Sequence, residues 1–360
     1  MFLAIILFVV IFGFIVLAHE FGHFYTAIKT GTKVEEFGLG LPPRIWGFRK
    51  NKVLYSINWV PFGGFVKIHG ENEDIKDDKT AFSNKTAAQR SLMVSAGILM
   101  NLLTGWVVIM LGFWLSMPPL VTQPELYADN PELIQSKVIV VDVEEGSPAE
   151  QAGIIAGDYI LGSKDIEIKN TDDLHALLSG QVGRAINFDI ERGGELINID
   201  LIPVLDEGEP VIGTWVDRDV KNVHYTWWKV PWLALVETWR LIAVITSAIA
   251  GFIYQLFTTA SVSTDFTGPV GIVNIATDLL KLGWLKVLQF VAFISINLGL
   301  INLIPFPALD GGRLLFIIVE VLRGGKKVSS QIEAATHTIG FMLLILLILV
   351  ITYRDIVRLF

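Results

Sequence analysis

His19, Glu20 and His23 stand in the pattern H-E-x-x-H, and Asp310, near the other end of the chain, is the carboxylate that best complements them. Residues four apart share one face of a helix, so both imidazoles can reach a single metal ion while Glu20 holds water and takes its proton. A blander reading has the two histidines satisfying carbonyls at a helix end. It does not explain why three polar residues follow directly on Met1 to Ala18, a stretch without a charge. Ionisable groups in such a setting are costly and functional by default. The chain has no cysteine, which excludes disulfide frameworks, thiolate zinc sites and thiol nucleophiles and leaves His, Asp and Glu as ligands. A catalytic zinc takes three protein ligands and keeps a fourth position open. Asp310, in Asn302-Leu303-Ile304-Pro305-Phe306-Pro307-Ala308-Leu309-Asp310-Gly311-Gly312, is set in comparably apolar sequence. Alone it reads as a turn Asp before two glycines; beside a His pair that lacks a third ligand it becomes the candidate.

The elements that must position these groups are membrane helices. Of 360 residues, 52% are hydrophobic and 18% charged, and the mean hydropathy is +0.55. Soluble domains sit near 45–50% apolar and about 25% charged, so a plain cytosolic enzyme is excluded. The net charge of −8 lacks the basic footprint of a nucleic-acid binder. Met1 to Ala18 would reach about 27 Å as a helix, close to the roughly 30 Å hydrocarbon core. It has neither the basic start nor the cleavage site of a secretory signal, and is read as a retained helix. Leu92 to Met117, Val287 to Leu309 and Ile339 to Ile351 are further candidate spans, and Leu241 to Ala260 is a fifth by hydropathy alone.

Charge orients them. Phe24 to Arg90 carries eleven Lys or Arg against seven acids, whereas Pro118 to Leu285 carries ten against twenty-four. By the positive-inside rule the first loop is cytoplasmic and the acidic middle lies outside. The loop with Arg313, Arg323, Lys326 and Lys327 is also basic and inside. Leu241 to Ala260 would break this parity if it spanned, placing Asp310 on the opposite face from the histidines. It is therefore expected at the outer face, with Trp227, Trp228, Trp232 and Trp239 as interfacial aromatics; a genuine fifth span is the alternative.

Taken together, His19-Glu20-Phe21-Gly22-His23 and the late Asn302 to Gly312 segment resemble the bacterial site-2 protease family, zinc intramembrane metalloproteases of the regulator of sigma-E protease type. The likeness extends to Val60-Pro61-Phe62-Gly63-Gly64-Phe65-Val66-Lys67, Gly97-Ile98-Leu99-Met100-Asn101, Thr267-Gly268-Pro269-Val270-Gly271 and one PDZ-like module. The resemblance implies Zn2+ held by His19, His23 and Asp310, with Glu20 as general base. It also implies substrate contacts at Asn297, Asn302, Pro305 and Pro307, and offers Asn101 either to the substrate or to a ligand-bearing helix. The implied partners are single-span membrane proteins already cut by a site-1 protease, of anti-sigma-factor or remnant signal-peptide type. The implied place is the bacterial plasma (inner) membrane, with the active site towards the cytoplasm.

The residues ask for compatible chemistry. A transmembrane helix keeps its peptide groups bonded internally, so a protease acting on one needs groups that hold the strand open. Asn297 and Asn302 each offer a donor and an acceptor within apolar sequence. Pro305 and Pro307 stop a helix and free carbonyls. The same asparagines would equally serve to join helices.

The expected fold is a polytopic α-helical membrane protein of about four spans, with an inserted extracytoplasmic β-rich, PDZ-like domain and a cytoplasmic-side β-hairpin. The expected boundaries are a first span over 1–25, a loop with a membrane-associated hairpin over 26–90 and a second span over 91–117. An extracytoplasmic region follows over 118–225, its PDZ-like part at about 137–204, then an interfacial segment over 226–285. The third span covers 286–310, a cytoplasmic loop 311–335, the fourth span 336–353 and a tail 354–360. Lys52 to His69 alternates around a Gly turn like two short strands, which either pack on the helices or add an unwound substrate strand at a free edge. The PDZ-like module either grips a peptide carboxyl terminus or excludes bulky ectodomains. Gly97, Asn101 and Gly105 form a small-residue stripe suited to helix packing. His69, His175, His224 and His337 carry no partner signal. Two rivals remain: a membrane-anchored gluzincin-type quality-control protease with a Glu as third ligand, and a non-catalytic PDZ adaptor.

Overall fold

The computed structural model describes residues 2–357 apart from 72, 74, 76, 130–134, 165, 207, 222 and 259–267. Thr267 of the Thr267 to Gly271 motif and Ala260 at the end of the fifth apolar stretch lie outside the described residues. In chain order the elements begin with α1 (Phe2–Lys29), β1 (Val34–Lys50), β2 (Val53–Ile68) and α2 (Ala87–Trp114). A β-rich stretch follows: β3 (Gln135–Val143), α3 (Pro148–Gln151), β4 (Tyr159–Ser163), β5 (Ile166–Glu167), α4 (Thr171–Ser179), β6 (Ile186–Arg192), β7 (Glu195–Leu201), β8 (Val204–Asp206), β9 (Glu209–Val211) and β10 (Thr214–Lys221). The chain then returns to helices: α5 (Val230–Thr258), α6 (Pro269–Leu282), α7 (Trp284–Leu303), α8 (Asp310–Leu322) and α9 (Ser330–Val357). These form two compact units, residues 1–112 with 231–360, and residues 113–230.

In the first unit, five helices among the described residues are long and apolar enough to cross a membrane: Ile6–Lys29, Ala87–Trp114, Val230–Phe252, Trp284–Leu303 and Gln331–Asp355. Their outward faces are apolar. Phe14, Phe21 and Tyr25 on α1 and Phe341, Met342 and Leu346 on α9 are exposed, a surface that suits lipid and not water. The fifth apolar stretch is one continuous helix, α5. It buries Ala234, Thr238, Leu241 and Ile245 along one face and turns Trp232, Leu235 and Trp239 outward. The helix α8 occupies much of the region expected as a cytoplasmic loop. Its apolar residues recur at helical spacing and bury Ile317 beside Met93 and Val94 of α2.

The hairpin is longer than two short strands. Residues 36–39 pair antiparallel with 64–67 on one side and lie beside 54–57 on the other, while 44–50 pair with 53–58. The sheet therefore runs 64–68, 34–39, 53–60, 44–50. Segment 64–68 has no further strand along its outer edge among the described residues.

In the second unit an antiparallel sheet runs β10-β3-β4-β6-β7, with β5 on β4 and β8-β9 as a separate pair. The sheet extends past the boundary expected at 204, because Thr214–Lys221 alternates and pairs with β3. Val138, Val140, Ile160, Phe188 and Ile190 form its core with Leu174 and Leu178 of α4. A capping box between Asn170 and Asp173 starts α4, satisfying otherwise orphaned N–H groups. Arg192 clamps the fully buried Asp158 through Nε and Nη2, both at 2.7 Å.

Two cross-links hold the later helices of the first unit. Asp355 of α9 accepts from the backbone N–H of Gly268 at 3.2 Å and of Gly271 at 3.0 Å, capping α6. Arg90 of α2 donates to Glu320 of α8 at 2.6 Å, with both side chains nearly buried at 9% and 10% exposure. Removing one member of a buried pair leaves an uncompensated charge, costing about 3–5 kcal/mol, whereas replacing both by apolar groups is often neutral. Glu320→Leu should lower the thermal unfolding midpoint in detergent strongly, and Arg90→Met with Glu320→Leu should recover most of the loss.

Candidate metal centre

The H-E-x-x-H turn lies in the last third of α1, where helical spacing places His19 and His23 on the face turned to α2. Their rings meet edge to face, with centroids 4.8 Å apart. His23 Nδ1 lies 2.8 Å from the Met93 carbonyl oxygen, and since a carbonyl can only accept, Nδ1 carries the proton and Nε2 is bare. His19 Nδ1 lies 3.2 Å from the fully buried Asn101 amide, whose Oδ1 has no partner among the described residues. Turning that amide by half a turn lets Oδ1 accept from His19 Nδ1 and leaves His19 Nε2 bare as well. The two Nε2 atoms are 3.1 Å apart. Lone pairs that close repel unless a cation lies between them.

Asp310 completes the group. Its Oδ2 lies 3.1 Å from His19 Nε2 and 3.3 Å from His23 Nε2. All three ligating atoms fall within 4.8 Å of one another, and they are the metal-capable cluster found among the described residues. A tetrahedron with metal–ligand bonds of about 2.0–2.1 Å has edges of about 3.3 Å, so the triangle of two imidazole nitrogens and one carboxylate oxygen fits a zinc ion. An open fourth corner remains for substrate or water.

Local structure explains how Asp310 arrives there. After α7 the chain turns through Ile304 to Leu309, and Asp310 is the first residue of α8. A Cβ on Gly311 would stand 2.3 Å from the Ile304 oxygen and 2.4 Å from the Leu303 oxygen. The residue after Asp310 must therefore be glycine for α8 to fold back on the end of α7. Gly97 of α2 forms the floor of the site: a Cβ there would lie 2.3 Å from His23 Nε2 and 2.7 Å from His19 Nε2.

A cavity of about 350 Å³ opens over the cluster. Glu20 lines it with Phe65 and Val66 of the hairpin, Met93 of α2 and Leu309. Gly64 brings the hairpin's free-edge segment against Glu20, since its Cβ would lie 3.3 Å from Glu20 Cγ.

The structure thus brings together His19, Glu20, His23 and Asp310. Of the two places offered for Asn101, substrate or ligand-bearing helix, the structure has the second: it is buried against His19 of α1. Asn297, Asn302, Pro305 and Pro307 are not among the residues lining the cavity; Pro307 packs on Gly340 of α9. Gly97 was legible only as a helix-packing glycine, although its spacing of four from Asn101 put it on the face that meets the histidines. Gly105, the other member of that stripe, does pack a helix, against Ile296 of α7.

The chain matches the model described as Peptidase family M50 over residues 7–347. A Clostridium perfringens protein, named for an inferred zinc metalloprotease activity, is 32% identical over 96% of this chain and 96% of its own. The zinc metalloprotease RasP of Shouchella clausii is 29% identical, with 98% of each chain covered. The regulator of sigma-W protease RasP of Bacillus subtilis is 27% identical, with 99% of each covered. A solved PDZ domain of an SdrC-like protein from Listeria monocytogenes shares 23% identity over 22% of this chain and 85% of its own, at a TM-score of 0.21, too low to bear on the fold.

Gly97→Ala should cut bound zinc well below one per chain without lowering helix content, because alanine favours a helix but occupies the space under both imidazoles. Asn101→Ala should weaken metal affinity about 10- to 100-fold, the usual cost of losing an outer partner of a ligating histidine. Metal analysis and chelator titration measure both.

Proposed function

From the premise that the chain belongs to peptidase family M50, a membrane family of zinc metalloendopeptidases, we propose that it hydrolyses peptide bonds within or beside transmembrane segments of single-span membrane proteins. The observation that carries this reading is the convergence of His19 Nε2, His23 Nε2 and Asp310 Oδ2 within 3.3 Å at the end of an apolar helix. In this reading those three side chains hold zinc. Bound there, zinc polarises a peptide carbonyl and lowers the pKa of water to about 7. Glu20 takes the proton from water and returns it to the leaving amine. Met93 and Asn101 fix the two imidazoles so that Nε2 faces inward.

The substrate must leave its helix to be cut. Segment 64–68 offers a strand edge next to Glu20 that no other strand among the described residues pairs with, and an unwound segment added along it would gain backbone hydrogen bonds in place of those it lost. This supports the hairpin, more than Asn297 or Asn302, as the substrate-holding element. The Bacillus subtilis relative's name, regulator of sigma-W protease, makes an anti-sigma-factor-like protein the first substrate class to test. Shortening by a prior protease fits a site reached along a strand edge.

For topology we keep four crossings, α1, α2, α7 and α9, with the first loop and the zinc site towards the cytoplasm and the β-rich, PDZ-like unit outside. His23 and Asp310 belong to one site, so the number of crossings between α2 and α7 is even. If α5 crossed, α6 would have to cross back, yet its 14 residues reach only about 21 Å against roughly 30 Å. The exposed Trp232 and Trp239 of α5 suit the outer interface. The outer unit then docks or screens the substrate's ectodomain.

Purified protein in detergent with a single-span substrate tests the reading. The parent should bind about one zinc per chain and cleave; Asp310→Ala should lose zinc, and Glu20→Gln should keep zinc and lose cleavage. Zinc retained by Asp310→Ala would favour a gluzincin-like third ligand, cleavage unimpaired in Glu20→Gln would remove Glu20 as the general base, and a parent that does not cleave would favour a non-catalytic adaptor.

A further inference from the structure

The loop that delivers Asp310 is held from a second side. Ala308, two residues before Asp310, has φ of 79°, in the left-handed region that side chains with a Cβ enter only when their surroundings impose it. Its backbone N–H donates to Nδ1 of His337 on α9 at 2.9 Å. A backbone N–H can only donate, so this nitrogen of His337 is the bare one. The imidazole also packs on Phe316 of α8, with ring centroids 5.7 Å apart. Three residues further along α9, Gly340 accepts Pro307 so closely that a Cβ would lie 2.4 Å from the Pro307 Cβ and 2.5 Å from its oxygen. Pro307 and Ala308 are thus gripped by α9 just where the chain turns into the helix that begins with Asp310.

We propose that His337 is a positioning residue of the zinc site: its Nδ1 fixes the left-handed Ala308 and so sets the direction from which the Asp310 carboxylate meets His19 and His23. The inference rests on Asp310 being a zinc ligand. It gives a function to a histidine that the sequence left without a partner. It also makes α9 part of the metal site, although none of its residues belongs to the cluster of His19, His23 and Asp310.

Asparagine and glutamine separate this role from mere packing. The Oδ1 of Asn stands close to where Nδ1 of His stands and can accept from Ala308, whereas the amide of Gln is carried out towards the position of Nε2. Full-length parent, His337→Asn, His337→Gln and Asp310→Ala are loaded with Co2+ in detergent. The d–d absorption band, the rate of metal loss to a chelator and the steady-state constants are then recorded. His337→Gln should shift the band, speed metal loss about 10- to 100-fold and lower kcat more than it changes KM. His337→Asn should stay near the parent in all three. Parent-like spectra and metal loss in His337→Gln, or equal damage in Asn and Gln, would overturn the positioning role while Asp310→Ala still loses metal. Metal retained by Asp310→Ala would overturn the ligand assignment and this inference with it.

Discussion

Two imidazole nitrogens and a carboxylate oxygen held within about 3 Å of one another in apolar surroundings impose the constraint on which the rest of the structure depends. Unpaired, such groups are costly to bury, and no single segment supplies all three. One helix near the start of the chain brings the histidines and a tight turn near its end brings Asp310. α2 lies beneath both. Its Gly97 leaves room for the rings, while the Met93 carbonyl and the Asn101 amide take up their outer nitrogens. Each of these is a small or neutral group, so the charges at the site come from the cluster, Glu20 and the Glu71–Arg313 pair that also lines the cavity.

The supporting packing follows from the need to keep that turn in place. Arg90 and Glu320 tie the start of α2 to the end of α8, so the helix that begins with Asp310 is anchored at its far end as well. The hairpin closes another side, packing Phe37 and Tyr55 on Phe24 of α1 and laying Phe65 and Val66 over the cavity. Elsewhere the helices present apolar faces outward, so lipid contact and the buried polar site are separated around each helix.

How much of this was legible in the sequence varied with the kind of signal. The histidine pair could be read from its spacing of four directly after a charge-free stretch, and Asp310 only because that pair lacked a third ligand. Within 137–204 the β-rich unit was legible as a PDZ-like module, with α4 marked by the Asn170 to Asp173 cap, but β10, which pairs with β3 from beyond that boundary, was not. α8 was hidden by the glycines at its second and third positions and by Arg313 within it and Arg323 at its end, which read as a basic loop. The hairpin's second pairing could not be foreseen, since residues 36–39 take partners on both sides and only tertiary folding chooses them. Asn101 was read for its polarity, but whether it faces substrate or histidine depends on which helix lies against α2. His337 was silent because its partner is a backbone N–H, which every residue but proline carries.

X-ray absorption at the zinc edge, on the full-length protein in detergent, addresses the metal centre most directly. Zinc held by His19, His23 and Asp310 should show two imidazole rings at about 2.0–2.1 Å with the remaining first-shell atoms oxygen at about 2.0–2.2 Å, and the oxygen shell should change in Asp310→Asn. Three imidazoles, or a spectrum unaltered by that substitution, would contradict it.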